Sequence, residues 1–417
     1  MSMLTTLTRM WLTRTTKPFT FTAEYDEKLP YADCEGLGLY VHIPFCRSLC
    51  AFCPYCKTVY TREKCDAYID ALLREIELVG SRHEGKKKVT SLYFGGGTPA
   101  LAADRISEII NALERHFEIT EGIGLELHPD NVNTETLKKL KAAGVTKISI
   151  GIQSFLPKYQ SILGRAAVDA SAMSAALREV EFETVSMDFI FALPGQTFDD
   201  LRSDIERAFE TGANHVAIYP FIDFTFTPGK VKPMGKRQKR ELLDRITGYC
   251  LDKGLTRDSI WTFSSVSGAK YSSMTRDNFL GFGCSATTLL KDQFKINTFS
   301  VGEYEGRTAE DKLPTSLTIR FTQRQRMIYY LFWKLYSTRL DPADFEVFFG
   351  EPLRKKYGME FRLAEWLGFL RREKGVYRMT LKGAFYYHHY ENFYTLAYID
   401  KMWGIMRKQA FPERIEL

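Results

Sequence analysis

From Leu37 onward, short runs dense in aliphatic and aromatic residues alternate with longer stretches whose apolar residues recur every three or four positions. Short apolar runs bounded by glycine or polar residues predict strands, and the 3.6-residue period predicts helices. On that basis residues 39–43 form a strand and 64–79 a helix, with Tyr68, Leu72, Ile76 and Val79 along one face. Residues 89–94 are the next strand, closed by Gly95-Gly-Gly-Thr-Pro99, and a helix follows over 103–117. The alternation continues with strand 123–127, helix 134–143, strand 145–150, helix 171–179, strand 185–192, helix 199–211 and strand 215–219. Six strand-then-helix units in succession imply an α/β fold with a parallel sheet and right-handed crossovers, either an open sheet or a partial barrel.

The pattern then changes. A basic stretch, 228–240, leads into a helix over 241–251 and reads as a solvated loop, with capture of substrate carboxylates as the functional alternative. Lys86-Lys-Lys88 reads as a solvated turn, and His215, inside the sixth strand, as a core or rim histidine. Residues 308–316 read as a linker, followed by a helix over 323–336, a helix start at Asp341-Pro342, a helix over 361–372 and a wing over 376–383. That order predicts a small winged-helix-like domain, but no dense basic recognition helix accompanies it, which argues against nucleic acid. The last segment, 385–406, is crowded with Tyr386, Tyr387, Tyr390, Phe393, Tyr394, Tyr398 and Trp403 and reads as a core-packed helix rather than a membrane-surface or dimer contact. His388-His389 on it offers at most one imidazole to any ligand, because adjacent helical positions point apart. The chain divides into an N-terminal arm (1–37), a central α/β unit (38–305) and a C-terminal helical unit (306–417).

Composition narrows the function. The net charge of +6 in 417 residues is too mild and too dispersed for a nucleic-acid surface, and would tolerate an anionic substrate. No apolar run approaches the roughly 20 residues of a membrane span. Residues 1–21 carry Arg9, Arg14 and Lys17 and many threonines, with no acid before Glu24. They read as a solvated arm that could cross the mouth of a site, with a transit peptide as the alternative.

Half of the eight cysteines fall between Cys46 and Cys56. Cys46, Cys50 and Cys53 have the spacing C-x3-C-x2-C, which can hold three irons of a 4Fe-4S cluster and leave the fourth open. A zinc ribbon would separate two knuckles by a dozen or more residues, and Cys53-Pro-Tyr-Cys56 read as a redox motif leaves Cys46 and Cys50 unexplained. Clustered thiols with cluster chemistry point to a reducing, cytoplasmic setting. In a parallel α/β fold, chemistry gathers where strands end. The cysteines follow strand one and the glycines strand two; Glu126 and His128 end strand three, Gln153 follows strand four, and Asp188 with Pro194-Gly-Gln196 lies on and after strand five.

With these residues in hand, the sequence resembles the radical S-adenosylmethionine (SAM) enzymes, and among them the oxygen-independent coproporphyrinogen oxidase family with its heme-chaperone branch. The resemblance runs from about Gly38 to Tyr304 through Tyr40-Val-His-Ile-Pro-Phe-Cys, Phe94-Gly-Gly-Gly-Thr-Pro, Ser149-Ile-Gly-Ile-Gln-Ser-Phe, Leu163-Gly-Arg165, Met187-Asp-Phe-Ile-Phe-Ala-Leu-Pro-Gly-Gln-Thr and Phe279-Leu-Gly-Phe-Gly-Cys-Ser-Ala. It implies a partial (β/α)6 TIM-type barrel with the cluster on Cys46, Cys50 and Cys53. It also implies SAM held by Tyr40, Phe52, Gly96, Gly97, Thr98, Glu126, Gln153, Arg165 and Asp188, with Phe221 and Thr287 beside a second SAM. Glycines would let backbone approach the methionyl ammonium, the carboxylates would accept from ribose or ammonium, Arg165 would suit a carboxylate and Phe52 would pack on adenine.

The implied activity is reductive cleavage of SAM to a 5′-deoxyadenosyl radical, fed by a donor such as flavodoxin or ferredoxin and acting on a tetrapyrrole such as coproporphyrinogen. The alternatives are a methyltransferase or carbon–carbon bond former using the second SAM, and a heme chaperone without turnover. The coproporphyrinogen oxidases place a fourth cysteine two residues after the third; here Cys56 comes three after, and the chaperone branch generally has none. Cys56 is therefore a bystander thiol or, as the catalytic alternative, a substrate-facing or proton-donating one.

Overall fold

The computed structural model describes residues 3–229, 231–265 and 277–417, so Lys230 of the basic stretch lies outside it. Seven strands form its parallel centre: β1 Leu37–Ile43, β2 Leu92–Gly96, β3 Ile123–Leu127, β4 Lys147–Gln153, β5 Thr184–Phe191, β6 His215–Pro220 and β7 Asn278–Phe282. They lie in the order β6-β5-β4-β3-β2-β1-β7, and every neighbouring pair is parallel. A doubly wound sheet reverses its strand order at a switch point. Here the first six strands never reverse, which is the winding of a partial (β/α)6 barrel. The strands are almost wholly buried and Val/Ile/Leu-rich, as a covered parallel sheet requires.

Helices α1 Arg62–Gly80, α2 Ile106–His116, α3 Thr134–Ala142, α4 Ala170–Glu179 and α5 Phe198–Thr211 connect the six strands. Their starts are set locally: Thr61 accepts from the Lys64 amide, Asn133 from Thr136, and Thr197 with Asp200 forms a reciprocal capping box. Gly212, with φ 119°, closes α5. Leu72, Ile76, Ile109 and Leu113 belong to the core cluster that also holds Val41, Phe94, Ile148 and Met187.

Several expected elements are corrected. The strand over 89–94 is two: Lys87–Val89 pairs with Phe117–Ile119 in a small outer sheet, and the chain jogs at Thr90-Ser91 before β2. The helix over 103–117 starts as a 3-10 turn, Pro99–Arg105, and becomes α-helical at Ile106. Helix α6, Lys236–Asp252, begins five residues early and takes residues 236–240 of the basic stretch into a packed helix: Lys239 is 9% exposed and Arg240 lies 4.9 Å over the Phe385 ring. The expected linker 308–316 is the end of helix Val301–Ala309 and the start of strand Thr315–Arg320.

That strand belongs to an antiparallel extension running from β7 through Thr287–Leu289, Gln293–Asn297 and Thr315–Arg320 to Thr20–Thr22 and Arg414–Glu416. Both ends of the chain therefore finish one sheet. The N-terminal helix Met3–Thr13 does not reach over the strand ends; Arg324 donates to the Leu12 carbonyl and Arg14 pairs with Glu360, which holds it on the C-terminal helices.

Those helices, Gln323–Tyr336, Pro342–Phe349 and Leu353–Trp366, surround a three-stranded sheet of Arg339–Leu340, Leu370–Glu373 and Val376–Met379. The expected helix over 361–372 ends at Trp366 because Gly368 takes φ 69°, and residues 370–373 become a strand. Lys374 and Gly375, both at positive φ, turn the hairpin into the wing strand. The final segment is a long helix, Leu381–Tyr394, continued through a π turn at Thr395–Ile399 into Asp400–Met406. Tyr398, Met402 and Met406 pack with Phe21, Ile296 and Leu317 of the sheet extension.

Candidate functional site

The burial pattern of the strands outlines the site. In strands otherwise closed to solvent, a few residues retain partial exposure: Tyr40 in β1, Gly96 in β2, Glu126 in β3, Gly151 and Gln153 in β4 besides its first residue Lys147, Asp188 in β5 and Tyr219 in β6. Polar residues that meet water from the middle of a buried sheet mark a wetted interior. At the carboxyl ends of the strands, Gly96, Gln153, Ala192 and Ser285 all adopt positive φ, three of them without the freedom of glycine. Such strain gathers where a backbone is held for a purpose.

The glycine turn serves the chain itself. A Cβ on Gly97 would stand 2.6 Å from the Phe45 carbonyl oxygen, and one on Gly96 2.8 Å from that of Ile43. The missing side chains let the turn pack on the backbone that leads into the cysteines, with Gly97 N–H donating to Ile43 and Thr98 N–H to Phe45 at 2.9 and 2.7 Å. Gly96 N–H also donates to Glu126 Oε2 at 3.2 Å. The glycines therefore register one strand end against another, a role closer to hand than approach to a ligand.

Two carboxyls face the interior. Asp188 accepts from Ser149 at 2.8 Å and Ser186 at 3.1 Å, yet burial pushes it up to about 6. Burial also pushes Glu126 up to about 7, reinforced by the Asp188 charge and opposed by the Gly96 amide. Arg165 donates to the Gly151 carbonyl at 2.7 Å, and the Gln153 amide folds back over the same glycine, 2.9 Å from where a Cβ would be. Burial lowers the pKa of Arg165, while Cys50 and Asp130 act in the opposite sense. His128, lowered to about 4 by burial and then by Arg165, stays neutral beside them. Tyr40 donates its hydroxyl to His42 Nδ1 at 3.0 Å, and His42 Nε2 donates to the Cys56 carbonyl at 3.0 Å, an assignment that fixes the imidazole tautomer.

The cysteine loop leaves β1 directly. Cys46, Cys50 and Cys53 are free and half-buried. The Lys57 ammonium ties the loop by donating to the carbonyls of Cys50 and Cys53, at 2.8 and 2.6 Å. Thr98 reaches Cys46 Sγ at 3.9 Å. Burial pushes the Cys46 thiol up to about 11, with Thr98 opposing and Cys53 and Cys50 adding to the rise. The three sulfurs are thus near enough to feel one another's charge. Cys56 is separate: it is buried, with Sγ 3.6 Å from Cys284 Sγ and 3.2 Å from the Phe299 carbonyl oxygen.

The sequence matches the radical SAM superfamily over residues 40–208. That stretch is the part of the chain that is similar to radical SAM proteins. It is 32% identical to a heme chaperone of Lactococcus lactis over 188 residues, 44% of this chain and 48% of that protein. It is 25% identical to an oxygen-independent coproporphyrinogen III oxidase of Pseudomonas aeruginosa over 385 residues, 83% of this chain and 81% of that protein. Its fold is that of the coproporphyrinogen III oxidase structure from Escherichia coli, with a TM-score of 0.72 and 24% identity over 89% of this chain and 90% of that one.

Radical SAM proteins carry a 4Fe-4S cluster, and the donor set here fits one. Among the described residues no three His, Cys, Asp or Glu side chains close on a point that a single metal ion could occupy. A cubane asks for something different, three thiolates each on its own iron. Thiols held protonated by burial release protons when metal binds, so loading should be favoured by rising pH.

The structure gathers Tyr40, Gly96, Gly97, Thr98, Glu126, Gln153, Arg165 and Asp188 along one rim with the cysteine loop. Phe52 packs in a cluster with Phe221, Tyr159, Leu163 and Leu193, which brings Phe221 to the loop. Thr287 stands at the other end of the strand order, its carbonyl against Gly281 beside Tyr40. Phe221 and Thr287 are therefore not neighbours in the sheet. His215 is a core residue, 2.8 Å from the Ser186 hydroxyl and lowered to about 4 by burial.

Sequence reasoning missed the roof. Trp403 on the last helix stands 6.0 Å from the Tyr55 ring and stacks on Phe224, and Arg407 donates to the Pro54 carbonyl. Thr225, in the loop after β6, bonds to the Asp400 carboxylate through both amide and hydroxyl, at 2.8 and 2.7 Å. The C-terminal helix, rather than the N-terminal arm, meets the cysteine loop, at Pro54 and Tyr55. Lys57 was missed too, although a base directly after the cysteines is a signal that could have been read.

Proposed function

We propose that this chain is a radical SAM oxidoreductase that binds a 4Fe-4S cluster on Cys46, Cys50 and Cys53, cleaves SAM reductively and acts on a tetrapyrrole of the coproporphyrinogen or heme class. The observation that carries the reading is the convergence of three free thiols, two interior carboxyls and Arg165 on one strand-end rim. Support for the substrate class comes from likeness, over 83% of the chain, to a protein named for coproporphyrinogen oxidation.

When bound, the cluster supplies the electron that breaks a carbon–sulfur bond of SAM. The chain's own residues bind and exclude water. Glu126 and Asp188 accept hydrogen bonds from ribose hydroxyls or the ammonium, Arg165 takes the carboxylate, and Phe52 packs on the adenine. Trp403 and Arg407 brace the end of the loop at Tyr55 and Pro54. A small electron-transfer protein of the flavodoxin or ferredoxin class supplies the electron in a reducing, cytoplasmic setting.

The test is anaerobic incubation of cluster-loaded protein with SAM, reductant and either coproporphyrinogen or heme, followed by mass spectrometry. A SAM-dependent product lighter by carbon dioxide and hydrogen supports the oxidase reading; unchanged substrates in both incubations would refute it.

One observation favours a second reading, a heme chaperone. Cys56 is turned away to Cys284, so the loop presents three thiols and no fourth. Stoichiometric heme binding without turnover would select that reading, and absence of a heme-induced Soret shift would remove it.

A further inference from the structure

Cys56 and Cys284 are 228 positions apart in the chain and meet in the core. Cys56 ends the cysteine loop, and Cys284 sits in the turn after β7. Their sulfurs are 3.6 Å apart, and each also faces a main-chain carbonyl, Phe299 at 3.2 Å from Cys56 and Thr298 at 3.1 Å from Cys284. Cys284 is fully buried and Cys56 is 5% exposed. The other buried cysteines, Cys34, Cys65 and Cys250, are free thiols, and Cys34 Sγ lies 3.7 Å from the Pro30 carbonyl oxygen.

We propose that Cys56 and Cys284 are an oxidative modification site, a dithiol that peroxide converts to a disulfide joining the end of the cysteine loop to the turn after β7. A disulfide needs the sulfurs to close from 3.6 Å to about 2.05 Å. The two thiols are unequal. The Cys284 hydrogen bond and His42 hold Cys56 well below an ordinary thiol despite its burial, whereas burial pushes Cys284 well above. Cys56 is therefore the nucleophile.

The chemistry balances with hydrogen peroxide as oxidant. The Cys56 thiolate attacks one peroxide oxygen, the O–O bond breaks and hydroxide leaves, giving a sulfenic acid. Cys284 sulfur then displaces that oxygen, which departs as water with the Cys284 proton. Two thiols lose two hydrogens, and one peroxide becomes two waters. The bond would fasten the segment whose Cys56 carbonyl receives His42, and through His42 the Tyr40 hydroxyl.

The experiment treats the full chain, both cluster-loaded and metal-free, with hydrogen peroxide. It then alkylates in denaturant with N-ethylmaleimide and maps the digest by mass spectrometry without reduction. The expected result is a Cys56–Cys284 linked peptide, lighter by two hydrogens than the separate peptides and released by dithiothreitol, while Cys34, Cys65 and Cys250 stay alkylated. In Cys284→Ser, Cys56 should be trapped by dimedone as sulfenic acid instead. If that variant does not fold, the wild-type map decides by itself. Alkylated Cys56 and Cys284 after peroxide has oxidised Cys46, Cys50 and Cys53 would overturn the proposal, as would a link from Cys56 to one of those three.

Discussion

The Lys57 side chain holds the carbonyl oxygen of Cys53 at 2.6 Å, and its reach to Cys50 at 2.8 Å makes one ammonium the staple of the whole loop. A charged donor on two carbonyls restrains the loop before any metal arrives. Lys57→Met keeps the stem and removes both bonds. Charge-assisted bonds of this kind are worth about 2 kcal/mol, so iron should be lost to a chelator roughly thirtyfold faster or more completely than from wild type. Absorbance of the reconstituted protein during chelation measures it, and unchanged retention would show that the loop is held by other contacts.

The glycine turn makes a steric prediction. Gly97→Ala places a methyl 2.6 Å from the Phe45 carbonyl, a backbone atom that cannot swing aside. Overpacking of this kind costs about 1–3 kcal/mol. The midpoint of urea unfolding should fall, with reduced iron incorporation, whereas Gly302→Ala, on an open helix face, should change neither.

Glu126 gives the pH dependence. Burial and Asp188 raise it to about 7, so its ionised fraction grows from about a tenth at pH 6 to about nine tenths at pH 8. If the ionised carboxylate is the acceptor for SAM, affinity strengthens by about tenfold over that interval, since a ligand that selects the ionised form is favoured above the group's pKa. Glu126→Gln should bind more weakly and lose the rise. Equilibrium dialysis of cluster-loaded protein with labelled SAM reads both, and a wild-type affinity flat between pH 6 and 8 would exclude Glu126 from that role.

Behind the site, Glu75 is fully buried and accepts from Gly283 N–H at 2.6 Å and from Asn297 and Tyr304 at 2.7 Å. Lys295, also buried and lowered to about 8 by its burial, draws on the same carboxylate. Glu75→Ala would strand this cation and three donors, a loss of about 3–5 kcal/mol in chemical denaturation. A change below about 1 kcal/mol would mean that water replaces the carboxylate freely.

Much of the fold could be read from the chain because its strands are short and apolar and its helices capped. Ile123–Leu127 needed no correction, and the helices expected over 134–143 and 199–211 lie within one residue of those bounds. Glu126 and Asp188 were legible because a polar side chain that interrupts an apolar strand meets either a partner or a wetted interior, whereas Tyr40 was implied only by the family resemblance. What escaped were relationships between distant segments. Nothing local to Trp403 or Arg407 says that they lie over Tyr55 and Pro54, and nothing near Thr20 says that it pairs with Glu416. The misplaced helix over 361–372 has a simpler cause: its apolar spacing continues past Gly368, and only the left-handed backbone there ends it.

The central claim, that the rim holds a cluster and a SAM it can cleave, is tested most directly by 5′-deoxyadenosine. Protein reconstituted anaerobically with iron and sulfide should, with dithionite, SAM and coproporphyrinogen, release 5′-deoxyadenosine detectable by liquid chromatography, and Cys50→Ala should release none. A fully cluster-loaded wild type that leaves SAM intact under these conditions would contradict the account.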